Sequence, residues 1–237
     1  MAKKKNRSLL IQKIAVGIAI VLIVALLGYF YTQVITEAPL GKFVEGEHYK
    51  LIDNPRRIHG DKVQVMEFFS YACPHCYAFD PKLNDWITAN KDKIEFIRTP
   101  AVGSNLWRMY AKTYYAMDAL GILKADHQKL FDAIHGLGQN LDSLDSLATW
   151  FADNGTSAQA FRSMFDSQLV NERVEAADQL EKRFKIASVP SIVINGKYLV
   201  QPSSEVGMSR MLDVMDYLVK KELQPSDGTT SSRPDSG

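Results

Sequence analysis

Hydrophobic and polar positions divide this chain into blocks of different period. The first block, "IAVGIAIVLIVALLGYFYTQVIT", runs from Ile14 to Thr36 without a charged residue. These 23 residues are long enough as a helix to cross the roughly 30 Å hydrocarbon layer of a bilayer, so residues 14–36 are expected to form a transmembrane anchor. Lys3, Lys4, Lys5, Arg7 and Lys13 precede it. Positive charge is retained on the cytoplasmic side, which places residues 1–13 in the cytoplasm and the rest of the chain outside it. A cleaved signal peptide needs small residues at its processing site, and Thr36-Glu37-Ala38 followed by Pro39 fits that need poorly.

Residues 37–60 carry turn formers and charge, and read as a linker and domain entry. "KVQVMEFFSY", Lys62 to Tyr71, is rich in β-branched and aromatic residues and predicts a buried strand. "YAFDPKLNDWITAN" predicts a helix that Pro81 should interrupt and kink, and "KIEFIRTP" a second strand ended by Pro100. From about Ser104 to Phe184 the period becomes helical, with Leu106, Tyr110, Tyr114 and Met117 at helical spacing. Asn154-Gly155 reads as a helix stop there, and Ser157 as the next N-cap.

Strand chemistry returns in "VPSIVINGKYLV", where Asn195-Gly196 sits between two short apolar runs as a type I′ hairpin turn requires. In a last helix Met208, Met211, Leu212, Met215 and Leu218 repeat on one face, and core packing accounts for them better than a methionine-rich peptide surface does. Beyond Pro225 the tail lacks apolar residues and is expected to be disordered. The order predicts an α/β domain made of residues 61–103 and 185–223, with a helical insert at 104–184 and a tail at 224–237.

Charge alters the picture little. Without the five basic residues before the span, 23 basic residues face 27 acidic ones, a formal charge of −4. No nucleic-acid partner is expected from that balance.

Cysteine usage alters it more, because the only two cysteines stand two residues apart in "EFFSYACPHCYAF". Structural zinc takes four ligands; one pair is present, and His48, His59, His127 and His135 show no H-x(3–5)-H spacing, so no metal site is expected. A disulfide serving stability gains from closing a long loop, and two intervening residues close almost nothing. Disulfide exchange gains from the short spacing, since a second thiol one helical turn away resolves a mixed disulfide quickly.

Cys73 follows a buried strand and opens a helix, where unpaired backbone N–H groups and the helix dipole stabilise an anion. It is therefore expected to be the attacking and leaving sulfur, with Cys76 the less exposed resolving thiol. Pro74 suits a first helical turn because its missing N–H forfeits no bond there. His75 either adds to thiolate stabilisation or simply faces solvent.

"EFFSYACPHCYAF" and "VPSIVINGKY" together resemble the DsbA family of thiol:disulfide oxidoreductases, and the match in order extends from about Phe43 to Leu223. Reducing thioredoxins resemble C-G-P-C at this motif, and glutaredoxins C-P-Y-C. The resemblance implies a thioredoxin-like α/β fold split by a helical domain. It makes Cys73 the nucleophile of a redox-active Cys73–Cys76 disulfide, Cys76 the resolving cysteine and His75 a stabiliser of the Cys73 thiolate. It further makes Val189-Pro190 the cis-proline loop that meets substrate, and Glu67 a buried carboxylate that moves protons to or from Cys76.

It also implies reduced, unfolded exported proteins as substrates, a DsbB-type membrane reoxidase as partner, and no tightly bound cofactor. With the anchor, the expected place is the bacterial inner membrane, as a single-pass protein whose catalytic domain lies in the periplasm. Two other readings stay open at this point: a reductase or isomerase on the same fold, and a non-catalytic anchored peptide-binding or chaperone module.

Overall fold

The computed structural model describes residues 16–18, 21–26, 43–55, 60–203 and 206–224. The chain divides into two units, Met1–Lys42 and Phe43–Gly237. In the first, residues 16–18 and 21–26 are helical, and apolar side chains such as Val21, Leu22 and Val24 are exposed. Among the described residues no helix is long and apolar enough to cross a membrane. Most of the expected span at 14–36 lies outside the described residues, as do residues 1–13 and the tail beyond Gln224.

The second unit is built on five strands. They are β1 (Lys50–Leu51), β2 (Val63–Phe69), β3 (Ile94–Pro100), β4 (Ser191–Ile194) and β5 (Tyr198–Val200), in the spatial order β1-β5-β4-β2-β3. β2 runs parallel to β3 and antiparallel to β4, and β4 and β5 form a hairpin. Asn195 and Gly196 both take positive φ at its turn, 52° and 61°, as a type I′ turn demands.

β1 pairs with β5 and buries Tyr49 beside it, although the entry segment shows no strand alternation. Two residues are too short a strand to carry a period, and pairing with an existing edge supplies what propensity does not.

A parallel β2–β3 pair needs a crossover, here α1 (Pro74–Asn90). α1 runs unbroken through Pro81, contrary to the interruption expected from the sequence. Proline removes one intrahelical hydrogen bond. Buried Phe79, Leu83 and Trp86 hold the helix on both sides of Pro81, and Trp86 Nε1 donates to Asp216 Oδ1 at 2.7 Å from the last helix, α7 (Met208–Leu223). Packing of one apolar face thus outweighs one lost bond.

Between β3 and β4 lie α2 (Asn105–Ala119), α3 (Leu123–Phe131), a π-helical turn (Asp132–Gly136), α4 (Leu144–Asp153), α5 (Ala158–Phe165) and α6 (Gln168–Arg183). The sheet therefore has a core on each face. Val63, Val65, Ile192 and Ile194 pack with Phe79, Leu83, Met211, Met215 and Leu218. Met66, Phe68 and Val193 belong to the core that continues into the inserted helices through Tyr110, Phe131 and Phe161. Met211, Met215 and Leu218 of the last helix are fully buried, so the methionine face is core.

Strand alternation puts Glu67 on the same face as Val63 and Val65, the face that α1 covers. That placement brings a carboxylate under the start of α1.

Candidate active site

β2 ends at Phe69, and a short turn delivers Cys73 to the N-cap of α1, with φ −95° and ψ 114°. Its backbone N–H donates to Ser70 O at 3.0 Å. Its Sγ accepts from the Cys76 backbone N–H at 3.3 Å, so the sulfur does what an N-cap oxygen does elsewhere. Both cysteines are free thiols in this structure. Cys73 is 8% exposed and Cys76 1%, so an attacking group can reach only the first of them without a rearrangement.

The second wall of the site is the Val189–Pro190 peptide bond, which is cis. The Val189 carbonyl lies 3.5 Å from Cys73 Sγ and accepts from it while that sulfur carries its proton. Ser191, 0% exposed, donates through Oγ to Ser188 O at 2.6 Å, and Gln201 Nε2 donates to Ser191 Oγ at 2.8 Å. The loop that faces the cysteines is therefore tied at both ends to the sheet.

The two sulfurs sit in opposite electrostatic surroundings. Donation from the Cys76 thiol, backbone N–H groups of the first turn and the charge of the exposed His75 lower Cys73 to about 6, against the opposing effect of burial. Burial pushes Cys76 far up, and Cys73 and Glu67 add to it. One sulfur is a thiolate at neutral pH and its partner holds its proton.

A reactivity profile follows. Iodoacetamide should alkylate Cys73 of the reduced chain at a rate that rises with pH up to about 6 and then levels off. An ordinary thiol keeps accelerating to about 8.5. Peptide mass spectrometry resolves the two sites, with Cys76 unmodified until the chain unfolds; a Cys73 midpoint in the ordinary thiol range would contradict the N-cap account. The same shift gives the dithiol form stability that is complete above the unfolded thiol's pKa and is lost as pH falls through about 6.

Beneath the pair lies a buried charge cluster. Glu67, 1% exposed, accepts from Arg98 Nε at 2.7 Å, the residue opposite it in the β2–β3 register. Arg98 also donates through Nη2 to Asp80 Oδ1 at 2.7 Å, and Asn84 Nδ2 donates to Asp80 Oδ2 at 2.7 Å. Burial raises Glu67 above the usual carboxylate range, with Arg98 opposing. Burial also works against the charge of Asp80, but its hydrogen bond to His127 and the nearby Arg98 hold it below that range.

Arg98, Asp80 and His127 were not singled out from the sequence. Asp80 carried a signal, because it stands one turn beyond Cys76 on the same helix face. Arg98 had none until the strand register was known.

Known proteins resemble this chain over most of its length. The thioredoxin family model matches residues 60–214. The thiol:disulfide interchange protein DsbA of Azotobacter vinelandii is 35% identical over 161 residues, covering 68% of this chain and 75% of that protein. The protein of the same name from Pseudomonas aeruginosa is 29% identical over 181 residues, covering 76% and 86%. Among solved structures, Pseudomonas aeruginosa DsbA matches with a TM-score of 0.71 over 76% of this chain and 94% of its own, at 29% identity. The oxidoreductase DsbA from Xylella fastidiosa matches with a TM-score of 0.69 at 34% identity, covering 76% and 97%.

Proposed function

This chain belongs to the DsbA family and is a thiol:disulfide oxidoreductase, and from that premise we propose that it works as an oxidase, donating a Cys73–Cys76 disulfide to reduced exported proteins. The observation that carries the direction is the Cys73 sulfur, lowered to about 6 at a helix N-terminus. A stabilised thiolate favours the dithiol, which makes the corresponding disulfide an oxidant.

A substrate thiolate attacks Cys73 Sγ, the Cys73–Cys76 bond breaks, and Cys76 leaves with the electron pair and takes up a proton. A second substrate thiolate then attacks the substrate sulfur of the mixed disulfide, and Cys73 leaves as its stabilised thiolate. The substrate loses two electrons and gains a disulfide; the enzyme gains the two electrons as a dithiol.

In this scheme His75 adds positive charge beside Cys73, and Glu67 exchanges the proton of Cys76. The loop at Val189 and Pro190 offers backbone to an extended substrate segment. A membrane reoxidase of the DsbB type restores the disulfide. Residues 14–36 tether the domain to the inner membrane on the periplasmic side, a reading supported by the uncharged 23-residue run, the basic residues before it and the exposed apolar side chains of its described helical pieces.

The test uses the oxidised full-length chain in detergent and a reduced, unfolded polypeptide with two cysteines. Stoichiometric loss of substrate thiols, matched by appearance of the enzyme dithiol, is expected. No transfer in that direction, with ready reduction of a disulfide substrate by the dithiol form, would reverse the assignment.

A further inference from the structure

The inserted helices meet the redox centre at Tyr71, two positions before Cys73. His135 of the π-helical turn has Nε2 2.8 Å from the Tyr71 carbonyl, and His127 of α3 has Nδ1 2.5 Å from the Tyr71 hydroxyl. The other His127 nitrogen, Nε2, lies 3.3 Å from Asp80 Oδ1. These partners select one tautomer. A carboxylate only accepts, so Nε2 carries the proton and donates to Asp80, and Nδ1 accepts from the Tyr71 hydroxyl. Protonation of Nδ1 would leave that buried hydroxyl without an acceptor, and burial itself holds His127 below the ordinary imidazole range.

Asp80 and Glu67 share one cation, Arg98. Every donor that Asp80 finds elsewhere leaves more of the guanidinium to Glu67. His127 is such a donor, and it is 7% exposed, on a cleft of about 460 Å³ that Arg98, Asn84, Lys124 and Gln128 also line. Solvent thus comes to the edge of the cluster at a cleft whose lining includes neither cysteine. The charged and titratable groups around it are Asp80 and Cys76 on α1, Arg98 on β3, Tyr71 in the turn, Tyr114 on α2 and Lys124 on α3; Asp118 on the cleft is paired with Arg173 at 2.6 Å.

We propose that His127 is a positioning residue for the exchange reaction: by donating to Asp80 it leaves Arg98 to Glu67, and so fixes the pH at which the carboxyl group beneath Cys76 takes up and releases its proton. This rests on the exchange chemistry proposed above. His127 touches neither sulfur, and its effect passes through Asp80 and Arg98. Tyr71 links the same imidazole to the turn that carries Cys73, so the insert steadies the loop and tunes the charge below it with one side chain.

The test is the rate at which glutathione opens the Cys73–Cys76 disulfide of the full-length chain, from about pH 4 to 8 and corrected for the glutathione thiolate fraction. The wild-type profile should carry an inflection from the cluster, above the ordinary carboxylate range. In His127→Leu it should move to higher pH, by about tenfold in the proton affinity of the cluster. His127→Leu strands the Tyr71 hydroxyl, so Tyr71→Phe with His127→Leu is the folded control and should show the same displacement. His127→Gln, whose amide keeps a donor for Asp80, should restore most of the wild-type profile.

An inflection that stays in place in the double variant, or a wild-type profile without one, overturns the proposal. Failure of glutathione to open the wild-type disulfide would instead overturn the exchange reading on which it stands.

Discussion

Cys76→Ser is expected to turn the enzyme into a trap. The oxidising cycle needs Cys76 as the leaving sulfur of the Cys73–Cys76 disulfide, and its reverse needs the Cys76 thiol to displace a substrate held on Cys73; a serine hydroxyl does neither. Cys73 keeps its N-cap position and its thiolate character in Cys76→Ser, because the backbone N–H that donates to it at 3.3 Å remains and the serine hydroxyl can donate where the Cys76 thiol did. Reduced Cys76→Ser should accumulate covalent adducts on Cys73 when mixed with a polypeptide that carries a disulfide. The Cys73 thiolate attacks one sulfur, the other leaves as a substrate thiolate, and with no Cys76 thiol to displace it the adduct persists until a reductant is added.

Cys73→Ser should accumulate none, and should lose disulfide exchange by at least about 10⁴-fold, the scale on which removal of a nucleophile acts. Non-reducing gels followed by peptide mass spectrometry distinguish the two variants. Adducts on Cys76 in Cys73→Ser would mean that the buried sulfur is accessible, against its 1% exposure. Full activity of Cys73→Ser would leave only a binding role for the chain.

Arg98→Met should be the most damaging single change outside the cysteines. It leaves Glu67 and Asp80 buried and facing each other without their shared cation, and breaking a buried pair in this way costs about 3–5 kcal/mol. The pH dependence has a definite sign. Asp80, held low in the folded chain, contributes stability above its unfolded pKa that is lost as pH falls through its folded value. Glu67, raised in the folded chain, opposes folding once pH exceeds its unfolded pKa.

Without Arg98 the favourable contribution weakens and the unfavourable one grows. The deficit of Arg98→Met should therefore be largest near neutral pH and shrink as pH falls into the carboxylate range, as urea unfolding at a series of pH values would show. Adding Glu67→Gln should recover part of the neutral-pH loss. An Arg98→Met chain as stable as wild type at neutral pH would remove the charge cluster from the account.

The contrast between the cysteines and this cluster shows what a sequence carries. Cys73 and Cys76 are legible because strand, C-x-x-C and helix follow one another directly, and local geometry determines their electrostatics. The Asn195-Gly196 turn is legible for the same reason, since a backbone conformation selects its residues. Arg98 meets Glu67 only through the β2–β3 register, and His127 meets Asp80 and Tyr71 only once the insert folds back on the sheet. Nothing within a short window of sequence marks those partners.

Pro81 misled in the opposite way. A strong local rule predicted a break, and the buried face formed by Phe79, Leu83 and Trp86 overrode it. β1 was hidden by its brevity. Composition and flanking charge remain the basis for the anchor at 14–36, which lies mostly outside the described residues.

A stabilised Cys73 thiolate is what makes this protein an oxidant in the reaction proposed above. The most direct measurement of this is the equilibrium reduction potential of the Cys73–Cys76 pair in the full-length chain, against glutathione buffers. A value above the roughly −270 mV of thioredoxin, toward the roughly −120 mV of DsbA, is expected. A potential at or below thioredoxin's would send electrons the other way, from this dithiol into substrate disulfides.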